Sequence, residues 1–265
     1  MVRLDQVRLH EDVDPWRVKR LIVRLRRQGI LRNPLIVSCS GETYNVLDGA
    51  TRATALAEMG FPHVIVQEVS YQDPQICLGG WHHVLVGLPA SHLLSDLKSI
   101  ADVSIAACEP EELKERMISR RSLFGVITRD GLAYSFSGSS AIKDQVRALN
   151  QLVQAYRGKA EVHRTTEADL TVLGPQYPDL SAIVVFPLFT PEEVTHFALN
   201  ETKLPMGITR HIIGGRALGL NIPMDLLASD QTLEEKNAWL RDLILQRIRR
   251  HQVRLYEEPT IVFDE

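Results

Sequence analysis

A carboxylate, a glycine and an arginine stand close together in residues 44 to 60, in an order that suits phosphate binding. The spacing predicts a short buried strand over Tyr44 to Leu47, a sharp turn at Asp48-Gly49, and an alanine-rich helix over Ala50 to Met59 that ends at Gly60. A helix that begins directly after a glycine offers unpaired backbone N–H groups to an anion. The same pattern also fits an ordinary strand-to-helix corner, so these residues alone leave both interpretations open.

The side chains at this corner have complementary chemistry. Arg52 falls in the first turn of the predicted helix, where its guanidinium can hold a phosphate. Asp48, at the end of the strand, can bind a cation or orient a hydroxyl group. If the segment is only an ordinary strand-to-helix corner, Arg52 is a solvated surface residue.

A second polar segment lies at residues 201 to 216 and is rich in glycine and charged groups. We expect it to be a surface loop or one wall of a site, because it is too polar for a core. Thr209 and Arg210 suit a carboxylate or phosphate, since the guanidinium supplies two parallel donors and the hydroxyl a third. His211 and Arg216 belong to the same segment.

Trp81-His82-His83 interrupts an otherwise apolar stretch. Two adjacent histidines point in different directions on either a helix or a strand, so they make a poor pair of metal ligands. Packing or capping is the simpler role for these histidines.

The composition is that of a globular protein without a strong charge bias. Of 265 residues, 45% are apolar and 24% charged, with a net charge of −3 and an isoelectric point near 6.3. These values give no global attraction to DNA or to a membrane surface. The one basic cluster, at residues 17 to 27, is more typical of a solvated helix face than of a nucleic-acid surface.

Cysteine usage and hydropathy indicate a cytoplasmic location. The three cysteines, Cys39, Cys77 and Cys108, are widely spaced, which favours reduced thiols over a disulfide framework or a structural zinc site. We find no apolar signal region and no run of 18 apolar residues, so neither export nor a membrane span is expected.

Capping residues predict where several helices begin. Asp14 followed by Pro15 predicts a helix that runs to about Gln28. Thr190 and Thr232 each have a glutamate three residues later, which predicts two further helices with capping boxes. An apolar stripe predicts another helix between Ile142 and Tyr156.

Strands are predicted between these helices. Residues 34–47 and 124–136 are each predicted to form a hairpin, and residues 182–186 an interior strand. A C-terminal pair of strands is predicted at residues 252–257 and 260–264. The chain is therefore predicted to be α/β.

The corner at Asp48 resembles a known signature. Asp-Gly-x-x-Arg, an alanine-rich turn and a glycine eight residues after the arginine are similar to the nucleotide-binding motif of the ParB/sulfiredoxin superfamily. Residues 9–11, 32–37 and 66–68 extend the match. Within the superfamily the chain most resembles the free L-serine kinases, including those that feed siderophore synthesis, through Trp81-x-His83 and Gly207-x-Thr209-Arg210.

This resemblance implies a domain plan. It implies an α/β (α+β) fold, with a ParB/sulfiredoxin-like nucleotide-binding domain at residues 1–85 and a larger mixed α/β substrate-binding domain at residues 86–265. It also implies an active cleft between the two.

The resemblance implies roles for individual residues. Glu11 would be the general base and Asp48 a second catalytic group, with both expected to bind Mg²⁺. ATP or ADP would be held by Arg32, Asp48, Gly49, Ala50, Thr51 and Arg52. L-serine would be held by Trp81, Thr209, Arg210 and His211. Thr51 departs from the family pattern, which has histidine there.

The expected reaction is phosphorylation of free L-serine to O-phospho-L-serine, for a siderophore or related pathway. The first alternative is a ParB-like, nucleotide-dependent DNA-binding or regulatory protein, although residues 86–265 show no compact basic three-helix segment. A sulfiredoxin-type reductase would need a cysteine where the chain has Ala50 and Thr51. A non-enzymatic sensor is a third alternative. The residues leave the donor nucleotide and the oligomeric state open.

Overall fold

The computed structural model describes residues 1 to 256, and the chain forms two compact units. The first unit contains Met1–Leu9, Val13–Cys77 and the described residues from His211 onward. The second unit contains His10–Asp12 and Leu78–Arg210. This division differs from a single boundary after residue 85, because the chain beyond residue 210 contributes apolar side chains to the core of the first unit.

The first unit is built on a four-stranded sheet of order β2-β5-β4-β7. The pair β4 and β5 is the predicted hairpin, while β2 pairs with β5 and β4 with β7 in parallel. Two two-stranded sheets, β1-β6 and β3-β16, complete its strands. The elements of this unit are β1 (Val2–Arg3), β2 (Val7–Leu9), α1 (Pro15–Gln28), β3 (Ile30–Leu31), β4 (Leu35–Ser40), β5 (Thr43–Asp48), α2 (Ala50–Glu58), β6 (His63–Val64), β7 (Val66–Val69), β16 (Ile222–Pro223), α8 (Met224–Ala228) and α9 (Leu233–Arg249).

The second unit has a six-stranded sheet of order β10-β12-β11-β14-β9-β13, in which every neighbouring pair is antiparallel. Helices cover both faces of this sheet. Its elements are β9 (His82–Val86), α3 (Ala90–Leu97), β10 (Val103–Cys108), α4 (Pro110–Ile118), β11 (Phe124–Thr128), β12 (Ala133–Gly138), α5 (Ile142–Tyr156), β13 (Glu161–Thr165), α6 (Leu170–Gln176), β14 (Leu180–Val185) and α7 (Pro191–Leu199).

Alternate side chains along the central strands pack into two hydrophobic cores, one on each face of this sheet. Leu85 and Val184 pack in the cluster that contains α5, whereas Val84 and Ile183 pack in the cluster that contains α4. Successive strand residues point to opposite faces, so strands that are apolar throughout must be covered on both sides.

The strands β8 (Ile76–Gly80) and β15 (Thr209–Ile213) pair with one another, and the division between the units falls within both strands. The segment at residues 201–216 was predicted to be a surface loop or the wall of a site. It contains β15, and Leu204 and Ile208 within it are fully buried. The apolar residues between the polar ones explain this burial.

The predicted helix starts are confirmed. Asp14 accepts a hydrogen bond from Trp16 N–H, with Pro15 as the first helical residue of α1. Thr190 and Thr232 each form a complete capping box. The six basic residues of α1 are exposed to solvent, which agrees with a solvated helix face.

One strand prediction is wrong in its described part. Residues 252–256 are not in a strand, and residues 257–265, which include the predicted second strand, lie outside the described residues. Among residues 1–256, no helix is long and apolar enough to cross a membrane.

A buried lysine on α9 binds groups from other segments of the first unit. Lys236 is fully buried, and its Nζ donates to the carbonyls of Leu227 (2.9 Å) and Ser229 (2.8 Å) and to Nδ1 of His63 (3.0 Å). These three acceptors satisfy the three ammonium protons.

Replacing this lysine should therefore destabilise the fold. The Lys236→Met variant leaves two carbonyls without their donor, and we expect the free energy of unfolding to fall by about 3 kcal/mol. Urea denaturation followed by circular dichroism measures this change. Arg241→Met, at an exposed position of the same helix, should change the free energy by less than about 0.5 kcal/mol. Equal losses in the two variants would contradict this role of Lys236.

Candidate functional site

The predicted corner at Asp48 is present in the first unit. Asp48 ends β5, Gly49 has a left-handed φ of 101°, and α2 begins at Ala50. A Cβ on Gly49 would lie 2.8 Å from the Arg52 guanidinium and 2.9 Å from Leu35, so only glycine fits here. No side chain caps the N-terminus of α2 within the described residues, and the backbone N–H groups of its first turn therefore remain available to a ligand.

Two guanidinium groups bind the same carboxylate oxygen of Asp48. Arg52 donates to Oδ2 at 3.0 Å, and Arg216 donates to the same oxygen. The sequence analysis gave Arg52 a role in phosphate binding but assigned no role to Arg216, which lies 168 residues from Asp48 along the chain. The arginine belongs to the polar segment noted in the sequence, which was the only signal that could have identified it.

The other predicted nucleotide-binding residues lie in the same unit. Ala50 and Thr51 are the first two residues of α2. Arg32 is exposed between β3 and β4, and its carbonyl accepts a hydrogen bond from Asn221 N–H at 3.0 Å.

Glu11 lies in the second unit, where its carboxylate is bound by the turn at residues 207–209. Oε2 accepts from Gly207 N–H at 2.8 Å. Oε1 accepts from Thr209 N–H at 2.7 Å, from the Thr209 hydroxyl at 2.5 Å and, at 3.3 Å, from Ile208 N–H. The carboxylate thus has a defined orientation, and Oε2 accepts a single hydrogen bond from the described residues.

The backbone on both sides of Glu11 is fixed as well. The carbonyl of His10 accepts from Leu204 N–H and Asp12 N–H donates to the carbonyl of Leu204, both at 2.8 Å. Glu11 and Leu204 therefore form a short parallel bridge. Because neither end of this segment can shift freely, the carboxylate is positioned through the backbone and through its own hydrogen bonds.

Gly207 forms hydrogen bonds through both its N–H and its carbonyl group. Its N–H donates to Glu11, and its carbonyl accepts from Nε2 of His83 at 3.3 Å. Its φ is +80°, and a Cβ would lie 2.0 Å from the guanidinium of Arg164. The positive φ favours glycine at this position, and a larger residue would also displace the Arg164 guanidinium.

His83 is a buried, neutral histidine. Because the Gly207 carbonyl can only accept, Nε2 must carry the proton, and Nδ1 accepts from the Tyr156 hydroxyl at 2.7 Å. Burial lowers the pKa of His83 to about 4 and raises the pKa of Tyr156 well above its usual range. His83 is therefore buried, as expected, and it also donates a hydrogen bond to the turn that binds Glu11.

His82 is also neutral. Its Nδ1 accepts from Phe186 N–H at 3.2 Å, and burial lowers the pKa of His82 to about 4. The two adjacent rings therefore have different partners.

A relay of hydrogen bonds joins His10 to Glu11. The Thr209 hydroxyl donates its proton to Glu11, so Nε2 of buried His10, 3.0 Å from the hydroxyl oxygen, must be the donor to Thr209. The Thr209 hydroxyl was expected to bind substrate. In the structure this hydroxyl donates to the Glu11 carboxylate, and its contact with substrate stays a prediction.

Trp81 and Arg210 form a stacked pair in the second unit. The Arg210 guanidinium lies 4.7 Å from the centre of the Trp81 ring, and Trp81 N–H donates to the carbonyl of Ile208 at 2.9 Å. A cation over an indole face is held electrostatically while its N–H donors stay available at the edge. This pair can therefore present donors to a carboxylate.

The structure assigns His211 to the other group. Its Nε2 lies 2.7 Å from the hydroxyl of Tyr71, and both residues belong to the first unit. Trp81, Thr209 and Arg210 belong to the second unit.

The predicted site residues thus form two groups. The first unit contains Asp48, Gly49, Ala50, Thr51 and Arg52 with the additional Arg216, and the second unit contains Glu11 with Thr209, Trp81 and Arg210. Among residues 1–256, no cluster of three or more histidine, cysteine or acidic side chains is arranged to hold a metal ion.

Comparison with known proteins adds to this geometry. No family model matches the chain. The chain is similar to two proteins named ATP-dependent L-serine kinase. SbnI of Staphylococcus aureus is 24% identical over 246 residues, or 90% of this chain and 87% of that protein. The protein of Staphylothermus marinus is 24% identical over 240 residues, or 86% of this chain and 90% of that protein.

Solved structures share the fold. A C-terminally truncated SbnI has a TM-score of 0.74 at 21% identity, and the match covers 93% of this chain and 95% of that one. A free serine kinase in complex with AMP has a TM-score of 0.73 at 16% identity, with 85% and 92% covered. The predicted α/β fold and the resemblance to free L-serine kinases are confirmed.

Gly207 provides a test of how the turn around Glu11 is built. The Gly207→Ala variant adds strain at positive φ and displaces the Arg164 guanidinium, and we expect a loss of about 2 kcal/mol or more in unfolding free energy. Gly158→Ala is the matched control, because Gly158 has a similar φ of +73° but open space around its Cβ position. It should cost about 1 kcal/mol. Identical losses in denaturant titrations would contradict the special surroundings of Gly207.

The two neutral histidines predict a pH dependence. Between about pH 6.5 and about pH 4 the unfolded chain binds protons that folded His82 and His83 exclude, so acidification favours unfolding. We expect each histidine to remove about 1.4 kcal/mol of stability per pH unit in this window. Urea denaturation across the window measures the slope. In His83→Gln the slope should be smaller by the contribution of one histidine. An unchanged slope would show that His83 is not held neutral.

Proposed function

We propose that this chain is a free L-serine kinase that transfers the terminal phosphoryl group of ATP to the hydroxyl of L-serine, giving O-phospho-L-serine. The observation that carries the proposal is the Glu11 carboxylate, which the turn at residues 207–209 orients while leaving an acceptor position on Oε2. Two relatives with similarity over most of the chain are named for this activity.

The phosphate groups of the nucleotide belong at the start of α2. The N–H groups of Ala50 and Thr51 and the positive end of the helix favour an anion there. Arg52 adds a guanidinium that can bind two phosphate oxygens in parallel. Thr51 supplies a hydroxyl donor in place of the family histidine, and Arg32 is assigned to the same nucleotide.

A magnesium ion is the cofactor that we assign to this reaction. Asp48 is half exposed and is the carboxylate next to the proposed phosphate position, which fits an ion held largely by phosphate oxygens and water. When bound, the ion would neutralise charge that develops on the transferred phosphoryl group. Glu11 was predicted to bind the same ion, and this role stays a prediction. In the structure three backbone N–H groups and a hydroxyl already donate to that carboxylate.

Glu11 acts as the general base. An ionised carboxylate can accept the serine hydroxyl proton as the oxygen attacks phosphorus. The proton would be received at Oε2, whose acceptor capacity is the less used of the two oxygens. His10 and Thr209 keep the other oxygen in place.

Recognition of the amino acid is assigned to the stacked pair in the second unit. The donors of Arg210, held over Trp81, match the two oxygens of the L-serine carboxylate. Thr209 contributes through Glu11, as a positioning residue. His211 is not needed for this recognition, and its hydrogen bond to Tyr71 belongs to the first unit.

The proposal gives Asp48 to the donor nucleotide and Glu11 to the acceptor hydroxyl.

ATP is the donor that we propose, since both relatives carry that designation in their names. A related free serine kinase variant was solved with ADP, so ADP is the donor to test beside it. Supply of phosphoserine to a siderophore or related pathway stays a prediction from the resemblance.

The Glu11→Gln variant tests the mechanism. An amide cannot accept the hydroxyl proton, so we expect phosphoserine formation to fall by a factor of about 100 or more. Nucleotide binding, which is assigned to the first unit, should persist. Phosphorus NMR of mixtures with L-serine, Mg²⁺ and ATP or ADP measures product, and calorimetry measures nucleotide binding.

The control for this experiment is Glu111→Gln, at an exposed position in the first turn of α4. Its turnover should equal that of the unmodified protein. Unchanged turnover in Glu11→Gln would remove Glu11 from the mechanism. Nucleotide binding without product in the unmodified protein would favour a sensor over a kinase.

A further inference from the structure

We propose that Arg216 is a second phosphate-binding arginine, which pairs with Asp48 in the structure and exchanges this partner for the phosphate chain when a nucleotide binds. This inference rests on the proposed function, because it concerns the same nucleotide. It assigns a role to a residue that no motif identifies.

The backbone that carries Arg216 is fixed by a single glutamine. The side-chain amide of Gln67, on β7, donates to the carbonyl of Gly215 at 2.9 Å and accepts from Ala217 N–H at 2.8 Å. The residues on both sides of Arg216 are thus attached to the sheet that also contains Asp48. Gly214 N–H donates to the carbonyl of Gln75 at 3.1 Å and fixes the approach to this loop.

Both arginines bind Asp48 through a single atom. The Oδ2 atom of this carboxylate receives donors from Arg52 and from Arg216. The side chains of Asp48 and Arg216 are each 40% exposed. Ion pairs that are this accessible to water are individually weak, so a ligand with more negative charge can displace Asp48 from both arginines.

A nucleotide phosphate chain is such a ligand. Guanidinium groups bind phosphate oxygens in a bidentate manner and with charge assistance. Movement of Arg216 from Asp48 to a phosphate would leave the carboxylate able to contact a divalent cation beside the same phosphates. The exchange involves hydrogen bonds and ion pairs only, and no covalent bond changes.

The position of the two arginines suggests which part of the nucleotide they contact. Arg52 belongs to the first turn of α2, and Arg216 reaches the same Asp48 oxygen from a separate loop. Two guanidiniums from separate elements can bind different phosphate groups of one chain. The contribution of Arg216 should therefore depend on the presence of phosphates and should be absent for the nucleoside.

The test is the Arg216→Gln variant, with ATP, ADP and adenosine as probes in calorimetry. We expect the dissociation constants of ATP and ADP to rise about tenfold or more, since a hydrogen bond to a charged group is lost. Adenosine binding should not change. Arg216→Lys keeps the charge without the bidentate geometry, and it should recover part of the lost affinity.

The matched control is Arg116→Gln. Arg116 pairs with Glu112 on α4 at 2.6 Å, and both side chains are partly exposed, as in the pair of Arg216 with Asp48. This variant also removes an arginine from an exposed ion pair, but it lies in the second unit. Its affinities for ATP and ADP should equal those of the unmodified protein.

Gln67→Leu tests the positioning of the loop. Without the amide, the carbonyl of Gly215 and the N–H of Ala217 lose their partner, and Arg216 loses its fixed approach. We expect a rise of about three- to tenfold in the dissociation constant of ADP, smaller than in Arg216→Gln, and no additional loss when both changes are combined. Full additivity of the two changes would contradict a positioning role.

The outcomes separate this inference from the proposed function. Equal ADP affinity in Arg216→Gln and in the unmodified protein would overturn the inference, even when phosphoserine is formed. A selective loss of ATP and ADP affinity supports it, even when no phosphoserine is formed. Equal weakening of adenosine and ADP would also overturn it, because that result indicates general damage to the site.

Discussion

The arrangement of the second unit depends on how a buried turn binds one carboxylate. Three backbone N–H groups and a hydroxyl of residues 207–209 converge on Glu11. A carboxylate in this position needs several donors because desolvation is otherwise costly. Gly207 donates to this carboxylate, and His83 binds the carbonyl of the same glycine. The turn has to present its N–H groups inward, and glycine with positive φ is the residue that allows it.

The first unit has a different arrangement of charged groups. Its corner has a strand end, a glycine and a helix start, and these leave the backbone donors of α2 open to an anion. The Asp48 carboxylate provides negative charge to both arginines. The carboxylate thus keeps Arg52 and Arg216 close to the position that we assign to phosphate. Such preorganisation reduces the cost of ordering the two side chains when a ligand binds.

The two histidines after Trp81 show how core and site are combined in one strand. His83 packs edge-on against Phe186 and Tyr156, as a core residue would, and it also donates to Gly207. A neutral imidazole can fill both roles because one nitrogen donates while the other accepts. A phenylalanine of similar shape would pack in the same space but would leave the Gly207 carbonyl without this donor.

Local pattern was enough to predict the corner at Asp48 and the helices that begin at Pro15, Pro191 and Leu233, because caps, glycines and apolar spacing act over a few residues. The family resemblance added Glu11, Thr209 and Arg210. Only the tertiary structure decided that Thr209 binds Glu11, that Arg216 binds Asp48 and that the chain after residue 210 returns to the first unit. These contacts join residues more than 160 positions apart, and no periodicity or capping rule reports on such distances.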